Sequence, residues 1–165
     1  MPPDTDDESG EGGQDLPFDD GDGENWACCR LAQLLQADPP DEVHAVLLQE
    51  DGGRRAFPIH IGPGEWQAIH RPVHGVEMAR PMTHDLLVAC LEALDARPVA
   101  ARIRDLAGAG DGPGVFLGSL VLRRGDEAIE MDCRPSDAIA VAVRCGCPIQ
   151  VARHVLDQVA GEEDG

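Results

Sequence analysis

The sequence predicts a mixed fold in which helices pack against a β-sheet, and three observations support this prediction. Between residues 129 and 133, apolar side chains alternate with Glu130 and Asp132, which is the period of a strand that buries one face. After Pro135 the pattern changes to a run of Ala, Ile and Val, which is typical of a buried helix. Elsewhere, short apolar segments separated by turn residues predict β-hairpins.

The remaining elements follow from turn and cap residues along the chain. Further strands are predicted, in chain order, at residues 43–49, 56–61, 99–104, 115–122 and 148–151. Three helices are predicted to begin near Pro63, Thr83 and Pro135, and a fourth lies around residues 155–159. Residues 26–36 fit both a helical stripe and a strand, so their pattern alone leaves the choice open.

Two elements show a marked division between apolar and polar faces. Leu86 and Leu94 are among the apolar residues that recur on one side of the helix after Thr83. In the strand that follows, apolar residues alternate with Arg102 and Arg104, so we expect both arginines on an open face of the sheet.

The charge of the chain is uneven. Its 165 residues carry a formal net charge of −18 and are 42% hydrophobic, which is enough for one domain with a core. Residues 1–25 contain ten acidic side chains and no basic one, so they contribute −10 and the rest contributes −8. Because this segment is rich in Gly, Pro and Asp, we expect a disordered acidic tail at residues 1–25. Residues 26–160 are then the domain, and residues 161–165 are a short disordered C-terminus.

No segment has the apolar length of a signal peptide or a membrane span, so we expect a cytoplasmic protein without a membrane partner. The six cysteines are expected to be reduced in that compartment. Neither Cys28-Cys29 nor Cys145-Gly146-Cys147 has the paired spacing of a zinc site, which favours core or neutral thiols over a metal or redox role.

Two nine-residue segments suggest an internal duplication of a β-α-β unit. Residues 57–65 and 129–137 both run from a strand through a proline and a small residue to an acid in the first turn of a helix. In this alignment Glu65 matches Asp137. Related halves would place the matched acids at equivalent positions, and chance similarity over nine positions is the alternative.

Four blocks of sequence resemble one known family. The blocks are residues 57–63 (Phe-Pro-Ile-His-Ile-Gly-Pro), 80–87 (Arg-Pro-Met-Thr-His-Asp-Leu-Leu), 132–140 (Asp-Cys-Arg-Pro-Ser-Asp-Ala-Ile-Ala) and 148–149 (Pro-Ile). In this order they resemble the bifunctional nuclease (BFN) domain, over roughly residues 27–157. The resemblance implies an α+β fold with a largely antiparallel, strongly curved sheet, helices packed on it, and self-association into a homo-oligomer. It also implies that residues 27–35 form a strand.

The resemblance further implies a nuclease that hydrolyses RNA or DNA, since plant members of the family are described as degrading both. One segment departs from the family pattern. The family usually has a small-residue helix after the first block, whereas here Gly64-Glu65-Trp66 and His70-Arg71-Pro72 intervene. We therefore expect a shorter helix with an altered surface, in which the acid Glu65 is retained.

Phosphodiester hydrolysis needs an activated water and positive charge near the phosphate oxygens. The catalytic candidates are Glu65, His84, Asp85 and Asp137, the substrate-binding candidates are Arg80 and Arg134, and the candidate ligands of a divalent cation, Mg²⁺ or Mn²⁺, are Asp85, Asp132 and Asp137. Asp85 and Asp137 each follow an Arg-Pro pair near the beginning of a helix. We expect these two carboxylates to face one open space.

The same residues also fit a structural role. An acid in the first turn of a helix stabilises it by about 0.3–1 kcal/mol, and an arginine before proline commonly pairs with such an acid. The domain also remains net negative without its tail, whereas tight binding of nucleic acid requires clustered cations. The alternative is therefore a non-enzymatic oligomeric or regulatory module, and any RNA or DNA substrate is expected to bind weakly.

Deleting residues 1–25 is expected to tighten the binding of a single-stranded oligonucleotide at low salt, because the ten carboxylates of the tail compete with phosphates for the arginines of the domain. Fluorescence anisotropy of a labelled oligonucleotide measures this change. The difference between the full and the shortened chain should shrink as salt rises. Unchanged affinity at low salt would contradict competition by the tail.

Overall fold

The computed structural model describes residues 25–160, which form a seven-stranded sheet and four helices. The strands are β1 (Trp26–Ala37), β2 (Val43–Glu50), β3 (Ala56–His60), β4 (Arg97–Ala107), β5 (Val115–Arg124), β6 (Glu127–Cys133) and β7 (Ile149–Ala152). The helices are α1 (Pro63–Val73), α2 (Thr83–Ala93), α3 (Pro135–Cys145) and α4 (Arg153–Val159). The segments predicted to be disordered are residues 1–25 and 161–165. Apart from Asn25, both segments lie outside the described residues.

The sheet is open and mostly antiparallel. Its strand order is β3-β2-β1-β7-β4-β5-β6, in which the β7–β4 pair is parallel and the other neighbouring pairs are antiparallel. This arrangement confirms the predicted α+β class and the largely antiparallel sheet. Strong curvature and an internal duplication stay predictions, although both aligned segments form an edge strand that leads into a helix with proline as its first residue.

The ambiguous segment at residues 26–36 is a strand, as the family resemblance implied. β1 pairs with β2 along most of its length and with β7 at its beginning. Ala27 and Cys29 are buried in the core. Because the backbone of β1 is hydrogen-bonded on both sides near the middle of the sheet, strand pairing outweighs the local helical stripe.

α3 lies at the centre of the core and confirms the predicted buried helix. Residues 138–142 are all buried, and the helix contacts α1, α2, β4 and β5. Small side chains on most sides allow this close packing. Pro135 occupies the first helical position, and Gly146 ends the helix with a left-handed φ of 69°, each a position that its residue type favours.

Three elements differ in exposure from what their patterns predict. Met131 is 51% exposed, because β6 is an edge strand and its apolar side is only partly covered. No residue of α2 is fully buried, and Leu86 and Leu94 face solvent. Arg102 was expected on an open face but is 4% exposed, since β4 is covered on both faces near its middle. Its guanidinium lies 4.4 Å from the centre of the Trp26 ring.

The six cysteines all lie within the described residues and are free thiols. Burial raises the pKa of Cys147 to about 11 and that of Cys29 to about 12, so both stay protonated at neutral pH. Among residues 25–160, no helix combines the length and the apolar character that crossing a bilayer requires.

Gly118 on β5 allows a close approach between the sheet and the beginning of α3. A Cβ atom at this position would lie 2.9 Å from the backbone nitrogen of Pro135 and 3.0 Å from the carbonyl oxygen of Cys133. Neither atom can move away without shifting the link between β6 and α3. The missing side chain of Gly118 therefore helps to set where α3 begins.

Gly118→Ala should lower the free energy of unfolding by about 1–3 kcal/mol, because the added methyl group overpacks this contact. Gly112→Ala is the matched control, since a Cβ atom at Gly112 would meet no atom of residues 25–160 within 4 Å. Urea denaturation of both variants measures the difference. Equal stability of the two variants would show that the sheet and α3 do not constrain each other at this point.

Candidate active site

An open cleft lies where α3 begins, next to the first turns of α1 and α2. Its volume is about 440 Å³. Its lining includes Glu65 and Arg71 from α1, Thr83 and His84 from α2, and Arg134 and Asp137 from the beginning of α3. The structure thus brings four of the predicted site residues into one cleft: Glu65, His84, Arg134 and Asp137.

Arg134 joins the two carboxylates of the cleft. Its Nε and Nη2 donate to the two oxygens of Asp137 at 2.9 and 3.1 Å, and its Nη1 donates to Oε1 of Glu65 at 2.8 Å. Arg134 is the N-cap residue of α3, so its side chain reaches the first turns of both α3 and α1. The two acids that the internal alignment matched are therefore bound by one guanidinium.

His84 forms the other contact of Asp137. Nε2 of His84 lies 2.9 Å from Oδ1 of Asp137, and the histidine side chain is 14% exposed. Because an ionised carboxylate only accepts hydrogen bonds, we assign the proton of the neutral imidazole to Nε2. Nδ1 then keeps a lone pair, and Asp137 fixes the tautomer of His84.

Neighbouring groups keep both carboxylates of the cleft ionised. Burial raises the pKa of Asp137, but hydrogen bonds from Arg134 and His84 outweigh it, so the pKa lies below its ordinary value. The pKa of Glu65 is also lowered, first by its own backbone N–H and then by Arg134. The same ion pairs raise the pKa of Arg134, which stays charged.

Asp85 lies outside this cleft, although the sequence led us to expect it beside Asp137. One of its oxygens accepts a hydrogen bond from the backbone N–H of Met82 at 2.9 Å, and the other accepts from Nε of Arg144 at 2.7 Å. These two contacts lower the pKa of Asp85, with the larger effect from Arg144. The carboxylate thus caps α2 and forms an ion pair on another side of the helix.

Arg144 ties the three helices around the cleft together. Its side chain is 9% exposed, and besides Asp85 of α2 it binds the carbonyl oxygens of Ala68 in α1 and Ala140 in α3, each at 2.8 Å from Nη1. This ion pair holds the first turn of α2 against α3. Asp85 is therefore a positioning residue for its neighbour His84.

The other two predicted residues also lie away from the cleft. Asp132 pairs with Arg104 at 2.8 Å, and the side chain of Asp132 is 84% exposed. Arg80 is exposed in the connection between α1 and α2 and does not belong to the cleft lining. Neither side chain lines the cleft that contains Arg134 and His84.

The three carboxylates expected to bind Mg²⁺ or Mn²⁺ do not share a site. Asp85, Asp132 and Asp137 each pair with a different arginine. Among the residues that the structure describes, no three His, Cys, Asp or Glu side chains are grouped so that they could hold a metal ion. A cation between Glu65 and Asp137 would have to displace Arg134. The donor set of the cleft therefore does not fit a resident divalent cation.

Arg71 is a cleft residue that the sequence analysis did not single out. It lies in the last turn of α1, and its side chain makes no hydrogen bond or ion pair within residues 25–160. Its positive charge is available to an anion. Helical spacing was the signal that could have found it, because Gly64, Ala68 and Arg71 recur on one side of α1 and all line the cleft.

Comparison with known proteins identifies the family of the chain. A family model described as the bifunctional nuclease domain matches residues 46–164, a range that contains the whole cleft. The chain belongs to this family. An uncharacterized protein of Mycobacterium tuberculosis is 38% identical to this bifunctional nuclease domain over 124 residues, an alignment that covers 75% of this chain and 71% of that protein.

Plant relatives of this bifunctional nuclease domain carry names that state an activity. Bifunctional nuclease 1 of Oryza sativa subsp. japonica is 27% identical over 139 residues, which cover 81% of this chain and 40% of that protein. Bifunctional nuclease 2 of the same plant is 32% identical over 110 residues, which cover 66% of this chain and 33% of that protein. The similarity thus extends over less than half of either plant protein.

Arg144→Met should lower the free energy of unfolding of this bifunctional nuclease domain by about 2–3 kcal/mol, because it removes the bonds of a buried guanidinium. The pKa of Asp85 is lower in the folded protein than in the unfolded chain. Its ion pair therefore stabilises the fold above about pH 4, the ordinary pKa of an aspartate. This contribution is lost as the pH falls through the pKa of the folded state. The difference from wild type, measured by urea denaturation, should therefore shrink in acid.

Arg124→Met is the control, since Arg124 is exposed at the end of β5. It should change the stability little at any pH. A loss in Arg144→Met that stays constant from neutral pH down to about pH 2 would show that the ion pair with Asp85 is not its cause.

Proposed function

We propose that this domain hydrolyses phosphodiester bonds of RNA and DNA in the cleft at the beginning of α3. The observation that carries the proposal is the hydrogen bond between His84 and Asp137, which lies in an open cleft beside a guanidinium that is 62% exposed. The family and the names of its plant relatives support the same reaction.

His84 acts as the general base in this mechanism. Asp137 holds the Nε2–H, which leaves Nδ1 to take a proton from water. The carboxylate 2.9 Å away stabilises the imidazolium that forms. The water oxygen then bonds to phosphorus while the bond from phosphorus to the leaving oxygen breaks, and the leaving oxygen takes a proton from solvent. The products are a phosphomonoester and a free hydroxyl.

Arg134 and Arg71 supply positive charge to the phosphate. A guanidinium has five N–H groups, and Arg134 uses three of them on Asp137 and Glu65, so two remain for non-bridging oxygens. Arg71 adds a second charge from the side of α1. Charge that is already in place where the transition state becomes more negative lowers the barrier. Since the cleft does not fit a resident divalent cation, no step of this mechanism uses one.

The charges of the cleft predict weak and salt-sensitive binding of nucleic acid. Two arginines in the lining balance two carboxylates as long as His84 is neutral. Arg102 is buried and offers no surface charge to a substrate. A phosphate backbone therefore meets few cations, and its affinity depends strongly on salt.

The exposed apolar side of α2 favours self-association and, with it, the second candidate function, an oligomeric or regulatory module. Leu86 is 58% exposed, Leu94 is 63% exposed and Met82 is 38% exposed. Large apolar side chains exposed along a helix and at its caps are typical of a protein interface. We propose that two copies of the chain meet through α2. Met82 also lines the cleft, so such a contact would form next to the proposed active site.

Purified protein is expected to cleave single-stranded RNA and DNA, and His84→Ala should slow cleavage by about 100-fold or more, because a positioned general base contributes about 10²–10⁴ to the rate. Asp137→Asn should have a similar effect, since it removes the charge that holds and stabilises the imidazole. A fluorogenic oligonucleotide measures the rate, in parallel reactions with Mg²⁺, with Mn²⁺ and with a chelator.

His154→Ala is the matched control, because His154 lies on α4 with its side chain 58% exposed. It should cleave at the wild-type rate. Full activity in both His84→Ala and Asp137→Asn would point to another site or to a contaminating nuclease. No cleavage by the wild type in any of the three reactions would favour the non-enzymatic module.

A further inference from the structure

A second cavity adjoins the cleft at the ion pair between Glu65 and Arg134. Its volume is about 640 Å³. Its walls include Ile59, Ile61, Val115, Phe116, Arg134 and Ser136, and we call it the Phe116 pocket. Glu65 and Arg134 line both cavities, so the guanidinium that faces the proposed phosphate position also faces this pocket.

The walls of the Phe116 pocket suit a flat ring. The ring of Phe116 packs against the buried ring of Phe57, with the centroids 5.6 Å apart, and this contact holds the aromatic wall in place. Aliphatic side chains in the lining are Ile59 of β3, Val115 of β5 and Ile61, which follows β3. The volume lies within the range of about 300–1,000 Å³ that is typical of small-molecule sites. An aromatic wall stacks on any nucleobase, because every base has a π face.

Ser136 adds a polar group to this apolar pocket. The residue is 7% exposed and lines the pocket, yet its hydroxyl makes no hydrogen bond within the described part of the chain. The hydroxyl is therefore accessible from the pocket and open to a partner there, and it can both donate and accept. The edge of a nucleobase would supply that partner, whereas a hydrocarbon side chain would not.

We propose that the Phe116 pocket binds the nucleobase next to the scissile phosphate. This inference rests on the proposed function, because it places the phosphate of the same nucleotide on Arg134 at the cleft. A nucleotide carries its base and its phosphate on one sugar, so it spans the shared wall between the two cavities. Stacking with few polar contacts favours a ligand that has a base over one that has none, but it discriminates little among the different bases. The pocket therefore suits both RNA and DNA.

Binding of thymidine 5′-monophosphate and of 2-deoxyribose 5-phosphate to the full chain tests this proposal, since the second ligand carries a hydroxyl where the first carries its base. Calorimetry should show that the wild type binds the nucleotide about tenfold more tightly. Adenosine 5′-monophosphate and ribose 5-phosphate should show a similar ratio. Val115→Trp should abolish this preference, because an indole at this exposed position would fill the pocket.

Val43→Trp is the matched control, since Val43 is an exposed residue of β2 that does not line the pocket. It should keep the tenfold preference. Equal affinity of the wild type for both ligands, or a preference that survives in Val115→Trp, would overturn the proposal. In the unsubstituted chain, nuclear Overhauser contacts should join the base protons to the ring of Phe116. Contacts to another surface instead would also overturn it.

The binding experiment needs no turnover, so it separates this proposal from the proposed nuclease activity. A base preference that is lost in Val115→Trp supports the pocket even if no cleavage is found. Cleavage that depends on His84 without any base preference in the wild type supports the nuclease and rejects the pocket.

Discussion

The geometry of the cleft depends on the hydrogen bonds that Arg134 makes to Asp137 and Glu65. Because the guanidinium is 62% exposed, solvent screens these ion pairs, and each contributes only about 0–1 kcal/mol to stability. Their main effect is on position and charge. They hold one carboxylate from α1 and one from α3 at the same place, and they keep Asp137 ionised beside His84. These ion pairs thus add little to the stability of the fold, while they set the positions and charges of the cleft residues.

The rigidity that this arrangement needs comes from buried contacts beneath the cleft. Gly118 lets β5 approach the backbone of Pro135, which fixes the beginning of α3 against the sheet. Arg144, farther along α3, binds Asp85 and two carbonyl oxygens from inside the helix layer. The side chain of Arg144 is 9% exposed, so breaking its bonds would leave a largely buried charge without partners, and these bonds resist movement of α2. His84 consequently stays within hydrogen-bonding distance of Asp137.

Local patterns in the sequence predicted six of the seven strands and the four helices, but they left residues 26–36 open between a strand and a helix. The internal alignment paired Glu65 with Asp137, and Arg134 binds both acids, while the duplication itself stays a prediction. The local patterns did not predict where Asp85 lies, because the two Arg-Pro pairs look alike but occupy different positions. Pro135 is the first residue of α3, whereas Pro81 precedes the N-cap of α2. The Phe116 pocket left no local signal, since its walls come from β3, β5 and α3, which are distant in sequence.

The rates of single-stranded oligonucleotide cleavage by His84→Ala, by Asp137→Asn and by the double variant test most directly whether the two side chains act as one catalytic unit. If Asp137 works by holding and stabilising His84, the double variant should be no slower than the slower single variant, because the first substitution already removes the function of the pair. Losses that multiply in the double variant, or a single variant that cleaves at the wild-type rate, would contradict a catalytic pair at the beginning of α3.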